Sequence, residues 1–133
     1  IQLPYNLAMP EAFAFPNQSI DGEPLTVLQA AGRLGLSVVA SASLLQSRLL
    51  RLPAGLAKRI PGLATAPQRA VQFVRSTPGI TTALVGMQRA AHVEENLVLA
   101  HHPLLAEDEL RSLFHRPVPG TISTSGTRHY FAI

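Results

Sequence analysis

Short apolar runs alternate with segments of helical periodicity along this chain, and this alternation is what most constrains its fold. Candidate strands lie at residues 1–3, 36–40 and 80–85, and candidate helices at 24–34, 65–76 and 90–100. Strands that alternate with helices are typical of parallel sheets with right-handed crossovers. Three such strands are too few to close a barrel and thin for an open sheet. The order therefore predicts an α/β fold, a partial (β/α)8 barrel of about three parallel strands with their helices.

Local signals place the ends of the first two helices. Pro24 suits a first helical turn and Gly35 a helix C-terminus. Thr65 and Gln68 have the Ser/Thr-x-x-Glu/Gln spacing of a capping box, which predicts a helix that begins there. The helical periodicity then predicts that this helix buries Ala70, Val71 and Val74.

The remaining segments carry weaker signals. In the helix at 90–100, the same periodicity predicts that Val93, Leu97 and Ala100 are buried. Residues 8–22 and 41–64 hold repeated Pro and Gly and are expected to be loops, the second with a helical turn. A short amphipathic helical turn is expected at 107–114.

The composition is more apolar than the length predicts. Of 133 residues, 47% are hydrophobic and 14% charged, against about 25% charged in ordinary domains. Small chains have relatively more surface and should be more polar than average. The apolar surface is therefore expected to pack against something else, and Ile1 in place of a methionine favours a piece of a larger fold.

Several functional classes are disfavoured. The chain has no cysteine, so it has no disulfide framework or thiolate metal site. The adjacent His101 and His102 point apart on a helix and predict no metal site. The net charge of +3 would suit a nucleic-acid partner, but the cations are scattered and aromatic residues are few. These two features argue against nucleic-acid binding. Without a signal-peptide pattern or a long apolar run, a cytoplasmic protein that does not bind membranes is expected.

Three segments resemble aldo/keto reductases, NADP(H)-dependent oxidoreductases with a TIM-barrel fold. Residues 2–7 (QLPYNL) resemble the sixth barrel strand, "Q-x-x-Y-N-L". Residues 38–49 (VVASASLLQSRL) resemble the seventh strand and its loop, "V-x-A-Y-S-P-L-x-x-G-x-L". Residues 81–96 (TTALVGMQRAAHVEEN) resemble the eighth strand, its glycine turn and the following helix. Each motif is short, and their shared order and spacing carry the resemblance.

The resemblance implies that this chain is one part of a larger enzyme and that the catalytic residues lie in the other part. Residues 1–116 would be the C-terminal half of the barrel, and residues 117–133 an irregular tail. Such enzymes reduce aldehydes or ketones by hydride transfer, using an Asp, Tyr, Lys and His set on the earlier strands. Since those strands precede this chain, it contains no catalytic residue that we can assign and should be inactive alone.

The resemblance also implies where NADP(H) would bind. Gln2 would hydrogen-bond the nicotinamide carboxamide, because one side chain supplies both a donor and an acceptor. The loop after the second strand would wrap the pyrophosphate with small residues and backbone amides. Its candidate residues are Ser41, Ala42, Ser43, Leu44, Gln46 and Ser47. Many relatives have tyrosine at the position of Ser41 and glycine at that of Ser47, so nicotinamide stacking and the turn are expected to differ.

The adenosine end would bind at the last strand and helix. Arg89 is the candidate partner for the 2′-phosphate, with Gln88 and His92 as further candidates and Gly86 in the turn. Glu95 and Asn96 match the pair that hydrogen-bonds the adenine side. Tyr5 and Asn6, at the end of the first strand, would line the substrate pocket.

The alternative hypothesis is a truncated, non-catalytic barrel relative that acts as a binding or scaffold protein. An unpaired strand edge next to apolar surface is a template for association. The expected partners are therefore a small carbonyl substrate, and either the N-terminal half of the barrel or a second copy of the chain.

Overall fold

Five strands and six α-helices form from residues 1–114, the part of the chain that the computed structural model describes. In chain order they are β1 (Gln2–Pro4), α1 (Glu11–Ala14), β2 (Gln18–Ile20), β3 (Glu23–Leu25), α2 (Val27–Arg33), β4 (Val39–Ser41), α3 (Ala54–Arg59), α4 (Ala66–Ser76), β5 (Thr82–Ala83), α5 (Ala90–Leu97) and α6 (Glu107–Ser112). Short 3₁₀ turns lie at Arg48–Leu50, between β4 and α3, and at Val98–His101, between α5 and α6. The predicted tail at 117–133 lies outside the described residues.

A three-stranded parallel sheet in the order β1-β4-β5 confirms the predicted architecture. Leu3 pairs with Ala40, and Ala40 with Ala83, across the sheet. These three side chains share one face, because neighbours in register point the same way. That face belongs to the hydrophobic core, which the helices cover. The described residues thus form one sector of a barrel.

The opposite face of the sheet is not covered within residues 1–114. Gln2, Val39 and Thr82 share a register position on it, with Gln2 and Thr82 exposed and Val39 half-buried. Leu84, just beyond β5, is 45% exposed. Parallel sheets normally have both faces covered.

The capping box at the start of α4 confirms the sequence prediction. Thr65 accepts from the Gln68 amide, and Gln68 accepts from the Thr65 amide at 3.1 Å. The first-turn amides of a helix have no partner within the helix, and this pair of bonds satisfies the amides of Thr65 and Gln68. The predicted stripe of Ala70, Val71 and Val74 is buried.

A β-hairpin replaces part of a predicted loop and helix. β2 and β3 are antiparallel, and Pro24 pairs with Ser19 instead of opening a helix. Asp21 and Gly22 connect the strands with φ of 52° and 79°, the positive pair that a type I′ turn requires. Helix α2 begins only after Thr26, which forms a second capping box with Gln29. The predictions of a loop through residue 22 and of a helix from Pro24 were therefore wrong.

The predicted buried stripe of α5 was also wrong. Val93 is 39% and Leu97 61% exposed, and Ala100 is exposed beyond the end of the helix. Helix α5 contacts α4 through its Glu95 side, so Val93 and Leu97 face away. The change to a 3₁₀ turn after Leu97 alters the helical phase and places Leu99 in the core instead.

The two remaining predictions agree with the structure in outline. The segment 41–64 is mostly irregular but forms the first 3₁₀ turn and α3. The amphipathic turn at 107–114 is α6, which buries Leu110. No helix among the described residues is both long and apolar enough to cross a membrane.

Candidate functional site

An open cleft of about 470 Å³ lies where the loop after β4 faces the end of β5. Its lining comprises Ala42, Ser43, Leu44, Gln46, Ser47, Leu84, Val85 and Gly86. Six of these eight are residues for which the sequence predicts contacts with the cofactor. The structure therefore brings the predicted pyrophosphate loop together with the predicted glycine turn.

The backbone of this loop, residues 42–47, is mostly left-handed. Ala42 has a φ of 55°, and the run from Leu45 through Gln46 to Ser47 has values of 46°, 49° and 71°. A left-handed conformation costs a residue with a Cβ about 1–2 kcal/mol. Such strain persists only where the surroundings determine it, and it concentrates at functional sites.

Most amides of the loop are not engaged. Leu45 donates to the Ala42 carbonyl at 2.7 Å, whereas Ser43, Leu44, Gln46 and Ser47 donate to no group among residues 1–114. Successive free N–H groups in a tight turn form a concave site for anions. The cleft thus has the donor chemistry of a phosphate site.

Buried side chains tie the loop to the neighbouring strand ends. Asn6, fully buried after β1, donates from Nδ2 to the Ala42 carbonyl at 3.0 Å and accepts from the Ala8 amide at 2.9 Å. Ser43, only 1% exposed, donates from Oγ to the Leu84 carbonyl at 2.9 Å. Asn6 thus holds the loop and does not line the cleft.

Tyr5 lies in the core, stacked on Phe73 with 5.3 Å between ring centroids. Thr77 donates to the Phe73 carbonyl at 2.9 Å, so the Tyr5 hydroxyl is the donor in its 3.0 Å bond with Thr77. Burial raises the pKa of Tyr5 well above its usual range. Its predicted place in a substrate pocket has no counterpart in the cleft.

The turn before α5 exposes its predicted phosphate contacts. Gly86, Gln88, Arg89 and His92 are all exposed. Arg89 occupies the N-cap position of α5, and its side chain has no partner within residues 1–114. A Cβ added at Gly86 would meet no atom within 4 Å, and its φ is not positive. Neither the backbone nor the packing of the described residues therefore requires a glycine at this position.

The two predicted adenine contacts have different environments. The Glu95 carboxylate accepts from the Thr65 hydroxyl, and its backbone carbonyl accepts from Gln68 Nε2 at 2.8 Å. These bonds fix α5 on the start of α4. Asn96 Oδ1, by contrast, is buried without a hydrogen-bond partner among the described residues.

The predicted nicotinamide contacts lie on the uncovered face of the sheet. Gln2 is exposed in β1, and Ser41 is half-buried in β4, two positions further along the register. Neither residue lines the cleft. They lie on the same sheet as the cleft, and Ser41 directly precedes the lining residue Ala42.

Charge is strongly segregated along the sequence. Residues 24–93 contain eight Lys and Arg residues and no Asp or Glu. Some have partners: Arg33 pairs with Glu23, and Arg69 donates to the carbonyls of Ile60, Leu63 and Ala64. Four have no partner among the described residues: Arg48, Arg51, Lys58 and Arg89. None of these four lines the cleft, so they would attract an anionic ligand only at longer range.

These cations are scattered along the sequence, so they form no visible cluster of positive charge. The signal that reveals the segregation is the absence of carboxylates over 70 residues that include both walls of the cleft. An anionic ligand would meet no acidic side chain from this stretch.

Comparisons with known proteins support the fold. No protein-family model and no curated protein sequence matches the chain. Among solved structures, it is similar to a candidate 2,5-diketo-D-gluconic acid reductase B, with a TM-score of 0.60, 21% identity and 94% of this chain covered. It is also similar to the aldo-keto reductase AKR11C1 from Bacillus halodurans in its holo form (TM-score 0.59, 15% identity, 84% of this chain covered).

A third similar structure is the thermostable aldo-keto reductase Tm1743 bound to the inhibitor epalrestat (TM-score 0.55, 19% identity, 84% of this chain covered). The chain spans 40%, 41% and 37% of the lengths of the first, second and third structures. It therefore has the fold of part of an aldo-keto reductase barrel, a fold used by oxidoreductases.

Proposed function

We propose that this chain is the NADP(H)-binding part of an aldo/keto reductase that reduces aldehydes or ketones, with the catalytic residues outside it. The observation that carries the proposal is the cleft at the loop 42–47. Four amides of its lining residues have no acceptor in residues 1–114, and the surrounding stretch contains no carboxylate. Pyrophosphate is an anion with many acceptor oxygens, and it fits that donor set.

The adenosine end of the cofactor fits the start of α5. Arg89 presents a planar guanidinium for paired hydrogen bonds to the 2′-phosphate, with Gln88 and His92 nearby in sequence. The buried, unpartnered Asn96 Oδ1 is an acceptor suited to an N–H group such as the adenine amine. Glu95 supports this end by holding α5 on α4.

The nicotinamide end would meet the uncovered face of the sheet. Gln2 would fix the ring orientation through the carboxamide, and Ser41 offers a hydroxyl where many relatives stack a tyrosine ring. Bound NADPH supplies the hydride for the carbonyl carbon. No proton donor for the carbonyl oxygen is assigned in this chain, so we expect it alone to reduce no aldehyde or ketone. The proposed setting is the cytoplasm.

Calorimetric titration of the chain with NADPH tests the proposal, with NADH as the matched ligand that lacks the 2′-phosphate. We expect saturable binding of NADPH that is tighter than that of NADH and weakens with salt. Absence of saturable NADPH binding, or equal affinity for both cofactors at every salt concentration, would contradict the proposed function.

A scaffold function is the second candidate, and the uncovered sheet supports it. The outer edges of β1 and β5 carry no strand among residues 1–114, and the face with Gln2 and Val39 is open. Exposed apolar side chains lie close to its strands in sequence, including Ile1, Leu36, Leu84 and Met87. Parallel edges of this kind associate with other strands.

Sedimentation velocity tests the scaffold function. A scaffold that docks on a partner or a second copy self-associates or aggregates alone, with or without NADPH. A sharp monomer peak with cooperative melting would contradict the scaffold function.

A further inference from the structure

The loop 42–47 is held at two points by hydrogen bonds from buried side chains, those of Asn6, which does not line the cleft, and of Ser43, which does. At one, Asn6 Nδ2 donates to the Ala42 carbonyl at 3.0 Å; at the other, Ser43 Oγ donates to the Leu84 carbonyl at 2.9 Å. We call these two bonds the loop clamp. Asn6 is fully buried and Ser43 is 1% exposed, so water competes little for either bond.

The clamp connects three adjacent strand ends. Asn6 follows β1, Ala42 and Ser43 follow β4, and Leu84 follows β5, in the spatial order of the sheet. The clamp therefore fixes the loop at the carboxyl edge of the strands, where barrels build their sites. It also fixes Ala42, the first left-handed residue of the loop, from its carbonyl side.

The backbone strain of the loop requires bonds from outside it to hold its conformation. Without external bonds, a run of left-handed residues without glycine relaxes to conformations that point its amides elsewhere. We propose that Asn6 and Ser43 are positioning residues, which act through Ala42 and Leu84 to hold the loop amides in place for a phosphate ligand. The inference rests on the proposed cofactor function. In the family motif quoted above, the position of Ser43 is a proline without a hydroxyl, so the Ser43 bond is not a property of that motif.

Two independent variants test the clamp in the full chain. Ser43→Ala removes the hydroxyl and leaves a small apolar side chain. Asn6→Asp keeps the acceptor for the Ala8 amide but removes the donor to Ala42. The matched control is Ser76→Ala, because Ser76 is also buried and accepts from the Leu105 amide at 3.0 Å, in a part of the fold remote from the cleft lining.

Two measurements are made on each protein: NADPH affinity by calorimetry and amide hydrogen exchange by NMR, both well below the melting temperature. We expect S43A and N6D to weaken NADPH binding about tenfold, the loss typical of one buried hydrogen bond, and S76A to leave it unchanged. Exchange should accelerate at the hydrogen-bonded amides of Leu45 and Leu49, which donate to the Ala42 and Leu44 carbonyls, in S43A and N6D but not at residues 70–74 in α4.

The outcomes separate the clamp from the proposed function. Unchanged affinity in both S43A and N6D, or an equal loss in S76A, overturns the positioning role while NADPH binding stands. If the wild-type chain binds no NADPH, the proposed function fails, and exchange at the Leu45 and Leu49 amides still decides whether the clamp holds the loop. Exchange that rises equally in α4 overturns the clamp, since it indicates general destabilisation.

Discussion

Replacing Ser47 by glycine should stabilise the protein. Ser47 ends the run of three left-handed residues, with a φ of 71° and a ψ of 2°. Its side chain is exposed and has no hydrogen-bond partner among residues 1–114. The substitution thus removes a Cβ from a conformation that disfavours it and breaks no side-chain hydrogen bond within the described residues.

The magnitude follows from two opposing terms. Removing the Cβ relieves about 1–2 kcal/mol of left-handed strain. Glycine loses more conformational entropy on folding, which returns roughly 0.5–1 kcal/mol. The net stabilisation should be about 0.5–1 kcal/mol, or roughly 2–4 °C in melting temperature for a chain of this size.

Urea denaturation at one fixed protein concentration measures the effect, because association also shifts apparent stability. Ser47→Ala is the matched control: it removes the same hydroxyl but keeps the Cβ, so its free energy of unfolding should equal that of the wild type. The reasoning is refuted if S47G is neutral or destabilising, or if S47A stabilises as much as S47G.

Three further predictions concern the cofactor and the core. Gly86→Ala should leave the free energy of unfolding within about 0.5 kcal/mol of wild type, because the added Cβ meets no atom. It should weaken NADPH binding, because the methyl group intrudes on the cleft. Unchanged affinity in a titration would show that no ligand approaches Gly86. Arg89→Ala should weaken NADPH binding roughly 10- to 150-fold and leave NADH binding unchanged, because it removes about 1.5–3 kcal/mol of charge-assisted contact. Arg51→Ala, at another exposed arginine, is the control. Equal losses of NADPH affinity in the two variants would mean general electrostatic attraction. Tyr5→Phe should cost about 1 kcal/mol at neutral pH. Because the folded pKa of Tyr5 is raised, wild-type stability is complete below the unfolded pKa of about 10 and falls above it by up to about 1.4 kcal/mol per pH unit, a slope that Y5F should lack in urea titrations at alkaline pH; equal slopes would contradict the buried hydroxyl.

Local chemistry made part of the fold predictable. The capping box at Thr65 and Gln68 depends only on residues three apart, and the structure confirms it. The same signal at Thr26 and Gln29, and the Asp21-Gly22 turn, were present in the sequence and mark the hairpin and the true start of α2. They were outweighed by Pro24, which suits both a first helical turn and an edge strand.

The burial of α5 could not be predicted from its periodicity. An apolar stripe says that a face is suited to burial, but which face packs depends on partners elsewhere. Glu95 bonds with Thr65 and Gln68 turn the polar side of α5 toward α4 and leave Val93 and Leu97 exposed. Tertiary contacts of this kind decide the outcome.

The sequence grouped several residues of the cleft, but it did not indicate that two residues hold the loop in place. The resemblance placed Ala42, Ser43 and Ser47 around one ligand, and the structure gathers them in one cleft. That Ser43 and Asn6 point into the fold and hold the loop depends on Leu84 and Ala42, which lie about 40 residues away in sequence. No local pattern encodes those contacts.

The central claim is that the amides of the loop 42–47 bind the cofactor phosphates. The most direct measurement is a two-dimensional NMR titration of the labelled chain with NADPH, following every backbone amide. The account predicts saturable shifts at Ser43, Leu44, Gln46 and Ser47, with the amides of residues 70–74 in α4 unmoved. Saturable binding whose shifts avoid the loop 42–47 would contradict it.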